Sequence, residues 1–389
     1  MVTNTRIGSG RGAAGSAGGP RTPGMRAKLG GSGFLILLFL GAVALLVTVP
    51  RMLGPGDKPA ALVVASLPVW NLAGGSNVVM ANRGTFNQVS PWIYRIAQNG
   101  QVVPQVSDPA ADTTAAMNRL RTLGQPIVPS ISNFTDGQWV YQPVAAMLHD
   151  PAAMTRHIND IVALVQREGY AGIDIDYEDL LATDRQVFTT FVTHLAEALH
   201  DKDKILSIDL FAKTTDAGED QRNVAQDYAA IGAAADEVRL MAYDYHWAAS
   251  MPGPVAPITW VRQVLDYAKT QMPAGKIVLG VPVAGYDWVD GHGEVVTWLQ
   301  CFGRTRAFHA TLQYDRLSQS PSFKYTDAQG RAHEVWFENA ESTAAKLDAA
   351  KSAGIHGVYL WMIGDEDDST WATVHTVMPL GAGAERSSR

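Results

Sequence analysis

The sequence predicts an α/β chain: a (β/α)8 TIM barrel with a small β-rich insertion between strands seven and eight, preceded by one N-terminal transmembrane helix. Three observations carry this reading. Eight apolar, β-branched runs alternate with amphipathic helical patterns over about 315 residues, the rhythm of such a barrel. Seventeen residues at 33–49, GFLILLFLGAVALLVTV, carry no charge. Three acids, Asp174, Asp176 and Glu178, occupy alternate positions of one run.

Composition sets the outer bounds. The chain has 389 residues, 47% of them apolar, enough for a sizeable core. A net charge of −7 argues against a nucleic-acid partner. Cys301 is the only cysteine, which rules out an intramolecular disulfide framework and any multi-cysteine metal site.

Taken in chain order, residues 1–32 hold five basic residues, no acidic one and nine of the 36 glycines, and read as a disordered cytoplasmic tail. A helix over 33–49 spans about 26 Å, and Met52 and Leu53 extend the candidate signal anchor to 33–53. The basic flank places the N-terminus in the cytoplasm and residues 54–389 outside the cell membrane. A cleaved signal peptide is the competing reading, but its n-region would be unusually long and no small-x-small site follows promptly. Residues 54–59, GPGDKP, form a linker.

The barrel is expected over 60–378, with strands in 60–70, 91–97, 125–132, 171–178, 204–212, 237–245, 275–286 and 357–363. Asp150-Pro151 makes a good N-cap and first-turn pair for a helix over 151–169, ending at Gly169. Phe188, Phe191, Val192, Leu195 and Leu199 recur at helical spacing in 184–201. Residues 257–272 and 341–353 follow the same pattern. The stretch 289–340 is too long for one loop and contains three strand-like runs, so it reads as the insertion; 379–389 reads as a disordered tail. A doubly wound open sheet is the alternative architecture on pattern alone.

In the run Asp174-Ile175-Asp176-Tyr177-Glu178, alternation puts the three acids on one face and Ile173, Ile175 and Tyr177 on the other. Successive acids sit about 6.6 Å apart, and three carboxylates at that spacing in a partly dry site do not all ionise at neutral pH. A carboxyl that keeps its proton is what glycoside cleavage needs, because the leaving oxygen must receive one. Taken alone, the same ladder also suits a divalent-cation site or a structural role.

These residues resemble a family. Gly172 to Glu178 is similar to the fourth-strand signature of glycoside hydrolase family 18, the chitinase family, Asp-Gly-x-Asp-x-Asp-x-Glu, with Ala171 where the first Asp stands. Leu240 to Tyr245 resembles its sixth-strand Met-x-Tyr-Asp motif. Gly280 to Trp288 resembles its Gly-x-Pro motif, with Ala284 in place of the usual Tyr, and Gly357 to Trp361 its last strand. Ser130 to Asn133 is a looser match to the third-strand Ser-x-Gly-Gly. The resemblance covers about 60–375 and has the flavour of the short bacterial branch that includes spore-germination and cortex-lytic enzymes.

The resemblance implies a substrate-assisted retaining glycosidase acting on N-acetylglucosamine-containing polysaccharide, with no cofactor and no metal. It makes Glu178 the general acid/base, Asp176 the group that orients the acetamide, Asp174 its proton-sharing partner and Tyr243 a hydrogen-bond donor to the acetamide. It assigns Asp244 and Trp361 to substrate binding; Ser130, from the looser third-strand match, and Trp70, from its place at the end of the first strand, are further substrate-binding candidates. Asp244 follows Tyr243 directly, so both reach one site only where the strand ends or twists. Trp361 equally suits a core position, and Trp70 equally suits a barrel cap. A non-catalytic, lectin-type glycan binder is the rival function; loss of the acid at Glu178 marks such proteins, and Glu178 is present.

Overall fold

The computed structural model describes residues 61–105 and 111–380. The tail at 1–32, the anchor at 33–53, the linker at 54–59 and the C-terminal tail from 381 lie outside the described residues. Among the described residues no helix is long and apolar enough to cross a membrane.

Eight parallel strands close a barrel: β1 (Leu62–Pro68), β2 (Gln88–Ile96), β3 (Ser130–Ser132), β4 (Gly172–Asp176), β5 (Ile205–Phe211), β6 (Glu237–Met241), β7 (Ile277–Pro282) and β8 (Gly357–Trp361). Each pairs with its sequence neighbour, and β1 pairs with both β8 (Leu62 with Gly357) and β2 (Val64 with Gln88). That double pairing removes both edges and with them the open-sheet alternative. Among the described residues the barrel's outer layer is built on α1 (Leu72–Ala81), α2 (Ala111–Arg121), α3 (Pro151–Glu168), α4 (Arg185–His200), α5 (Tyr228–Ala234), α6 (Ile258–Gln271), α7 (Ala340–Ala353) and α8 (Thr370–Val377), with two further helices over Tyr141–Leu148 and Gln221–Ala225 in the connections.

Local chemistry sets the helix ends. Asp150 caps α3 by accepting from the Ala152 N–H, Pro151 opens it, and Gly169 ends it at φ 69°. Asn339 caps α7, and Gly354 closes it at φ 66°. The main core lies between strands and helices, where Ile173, Ile175 and Tyr177 meet Phe188, Phe191 and Leu195 of α4, all fully buried. The helix α1 carries no strong signal in sequence, since LAGGSNVVMA holds two adjacent glycines.

After β7 the chain leaves the barrel at Gly285, four residues before the expected start of the insertion. It forms a five-stranded antiparallel sheet, ordered His292–Val296, Gly285–Val289, Ala332–Trp336, Ser320–Thr326 and Gln313–Asp315, together with a helix over Trp298–Ala307. Cys301 is buried in the small core of this unit with Val296, Phe323, Val335 and Phe337.

Candidate active site

Register places the acids. β3 pairs Ser130 with Asp174 and Ser132 with Asp176. On the other side β4 pairs Asp174 with Ser207 of β5, and β5 pairs Ser207 with Glu237 and Asp209 with Arg239 of β6. These side chains point into the barrel, so its interior is a polar layer where apolar filling is usual. β4 stops at Asp176, two residues short of expectation. Tyr177 still turns outward to the helix layer and shares a 2.6 Å hydrogen bond with His157. Glu178 stands at the strand's C-terminal mouth, its backbone clamped by Asn133. The Asn133 side chain accepts from the Glu178 N–H and donates to the Glu178 carbonyl, both at 2.9 Å.

Asp174 is fully buried and accepts from the Ser130 hydroxyl at 2.7 Å; Arg239 Nη1 lies 3.3 Å away. Asp176 is 6% exposed and accepts from Trp92 Nε1 at 2.9 Å. Burial raises the Asp176 carboxyl to about 7, Asp174 adds to the rise, and Trp92 and Arg239 oppose it. Glu178 is pushed well above the usual carboxylate range by burial and by Asp176, Asp179 and Asp244, with Arg222 opposing. A carboxyl that keeps its proton thus stands at the top of the ladder, facing the open end.

The second cluster comes from β6 and β8. β6 ends at Met241, and Asp244 adopts a left-handed conformation at φ 57°, a region that Asp tolerates better than most residues. The end of the strand lets Tyr243 and Asp244 serve the same site. Tyr243 Oη lies 3.0 Å from Tyr359 Oη. Asp244 accepts from the Tyr286 hydroxyl at 2.9 Å; desolvation among the surrounding residues raises its carboxyl to about 6 against that hydrogen bond, while the open top of the cleft leaves part of the residue in contact with solvent.

An aromatic wall completes the cleft. Trp361 sits edge-on to Trp70 and Trp92, with centroids 6.4 Å apart in each case. Trp70 is 59% exposed at the rim and so does not cap the barrel. Trp92 also meets Phe134 and Trp139. His246, beyond β6, is held in its loop by the Met251 carbonyl at 2.9 Å.

One expected site residue is placed elsewhere. Ser130, expected against the substrate, is 3% exposed and lies beneath the cleft against Asp174. Its register partner on β4 is the deepest acid of the ladder, so its hydroxyl is already committed there. Trp92, Asn133, Arg239, Asp209, Tyr286 and Tyr359 were not singled out in the sequence. Inward alternation in QVSPWIYRI, ILSIDLF and EVRLM is the signal that could have found three of them.

The arrangement bears on the metal alternative as well. Ser130, Trp92 and Arg239 engage the Oδ2 atoms of the two lower acids, leaving each Oδ1 enclosed without a partner, and the guanidinium already supplies a positive charge beside Asp174. Such a set can protonate a leaving group, orient a polar substituent and stack against a sugar ring.

Comparison with known proteins agrees with this chemistry. The family model for glycosyl hydrolases family 18 matches residues 76–367. YdhD of Bacillus subtilis, provisionally named a sporulation-specific glycosylase, is 36% identical over 282 residues, which is 71% of this chain and 66% of that protein. The cortical fragment-lytic enzyme of the same species is 35% identical over 231 residues, 58% of this chain and 54% of that one. The crystal structure of a chitinase from Chromobacterium violaceum superposes with a TM-score of 0.77 at 32% identity, covering 82% of this chain and 99% of that one. The chain spans between about half and two-thirds of the length of the two Bacillus relatives.

Proposed function

The chain belongs to family 18 of the glycosyl hydrolases, on the side where its spore-cortex relatives stand, and from that premise we propose that it is a membrane-anchored glycosidase. It cleaves β-1,4 bonds next to N-acetylglucosamine, in peptidoglycan or chitin-like chains, by substrate-assisted retention. The observation that carries the reading is the inward ladder of Asp174, Asp176 and Glu178, with a proton-holding Glu178 at its mouth beside the aromatic wall.

In the reaction Glu178 gives its proton to the leaving glycosidic oxygen, and the substrate's own acetamido oxygen attacks the anomeric carbon from the opposite face. Asp176 accepts the acetamide N–H and stabilises the cationic ring that forms; Trp92 holds its carboxylate in place. Tyr243 hydrogen-bonds the acetamide, Asp244 meets the distorted sugar, and Trp361 and Trp70 face its apolar side. Glu178 then takes a proton from the water that opens the ring. The reaction as written uses no metal or organic cofactor. The uncharged stretch at 33–49 supports the anchor, with the barrel outside the cell membrane, and that placement favours peptidoglycan over diffusing chitin.

The test is hydrolysis of peptidoglycan and chito-oligosaccharides by the full chain recovered from the membrane fraction, wild type against Glu178→Gln. The exchange is nearly isosteric and removes the transferable proton. A loss of at least about 10²-fold in kcat with KM nearly unchanged is expected. Equal activity in the two proteins would sink the assignment. Binding without cleavage by wild type would move the chain to the lectin-type reading.

A further inference from the structure

The barrel interior holds another acid that the scheme above does not use. Asp209 of β5 lies in register with Arg239 and projects on the same inner face as Asp174 and Asp176. Its Oδ1 is enclosed and has no donor, and on the same inner face Asp174 Oδ1 and Asp176 Oδ1 are likewise enclosed with no partner.

Every charged or titratable group facing it can be named. From β4 come Asp174 and Asp176, from β6 Arg239 and Glu237, from the turn after β6 Tyr243, and from β8 Tyr359. Arg239 is the one cation among them. It is 1% exposed and donates to Ser90 Oγ at 2.7 Å and Gln88 Oε1 at 3.0 Å, with Asp174 3.3 Å from Nη1. One guanidinium does not neutralise that many carboxylates in a dry interior. Enclosed carboxyl oxygens that share one face without donors need a proton among them. Asp174 already accepts from Ser130 and faces Arg239, so it is the acceptor of the pair. The proton then resides on Asp209.

We propose that Asp209 is a positioning residue of the acid ladder, a neutral carboxylic acid that donates a hydrogen bond to Asp174 and so fixes the charge beneath Asp176. Desolvation and the neighbouring Asp174 and Asp176 raise the Asp209 carboxyl well above its usual range, in keeping with that state. The proposal rests on the glycosidase reading for its catalytic consequence, but the protonation state of Asp209 does not.

The experiment uses the full chain as wild type, Asp209→Ala and Asp209→Asn, with two readouts. The first is kcat and KM against pH on chito-oligosaccharide or peptidoglycan. Asp209→Ala is expected to lose about tenfold in kcat with KM within about twofold, and to shift the acid limb of the profile. Asp209→Asn, whose amide can donate to Asp174, is expected to rescue most of the rate and the wild-type profile. The second readout is difference infrared spectroscopy at neutral pH, where Asp209→Asn should lack one protonated-carboxyl stretch present in wild type. Asparagine as damaging as alanine, an unmoved profile in both variants, or a carboxyl stretch unaffected by Asp209→Asn would each overturn the proposal. If Asp209→Ala does not fold, Asp209→Asn and the infrared readout still decide it. A wild type inactive on every glycan would overturn the glycosidase reading instead, and the infrared result would still judge Asp209.

Discussion

Replacing Trp92 by Phe keeps most of the ring area in the cleft floor but removes the N–H that donates to Asp176. That hydrogen bond favours the carboxylate form, and its loss raises the Asp176 carboxyl further. For Trp92→Phe, kcat is expected to fall about tenfold and the acid limb of kcat/KM to move to higher pH. A pH–rate profile checks this; a limb that stays or moves down would show that Trp92 acts only through packing. Asp176 and Glu178 could be found in sequence because their spacing alone implies crowded charge. Trp92 could not, because an indole in PWIYRIA looks like any apolar strand residue until β2 and β4 are seen to aim at one point. Ser130 shows the opposite error: its motif was legible, but its depth below the cleft was not.

At the level of the elements, the site depends on where strands stop and how closely they approach. β6 stops at Met241, which frees Tyr243 and Asp244 from the alternation that would separate them. β7 places Gly280 beside both tyrosines. A Cβ there would meet the Leu240 carbonyl at 2.7 Å and Tyr243 and Tyr359 at 2.8 Å. Gly280→Ala is therefore expected to displace the hydrogen-bonded Tyr243–Tyr359 pair and to destabilise the barrel by about 1–3 kcal/mol, as overpacking does. Its kcat on glycan should fall while Glu178 remains in place. Denaturant unfolding and kinetics together check this, and a neutral variant would show that the pair has room to move. The alternation of strands and helices was readable from apolar periodicity. The exact strand ends were not, because they depend on which backbone groups find a neighbour across the barrel.

Over the molecule as a whole, the buried acids tie stability to pH. Asp176 titrates near the model-peptide value of 3.8 when unfolded and at about 7 when folded, so between those values the folded chain holds more protons. Its contribution to stability therefore falls as pH rises from about 4 to about 7, then stays constant; Glu178 and Asp209 act in the same direction. Asp176→Asn removes the Asp176 share. Its melting temperature should exceed wild type by several degrees at pH 8, and the gain should vanish near pH 4, as scanning calorimetry at the two pH values would show. A gain that is the same at both would refute the linkage. The amino-acid sequence was sufficient for the alternating α/β architecture, the extra unit after the seventh strand and, through its motifs, the family, because periodicity and motif spacing are local properties of the chain. That the sheet closes was decided by β1 pairing with both β8 and β2. The polar barrel interior, the Trp92–Asp176 and Arg239–Asp174 contacts, the placement of Asp209 and the depth of Ser130 emerged only from the folded barrel. They join residues up to some 150 positions apart, and only the closing of the sheet brings those strands into register.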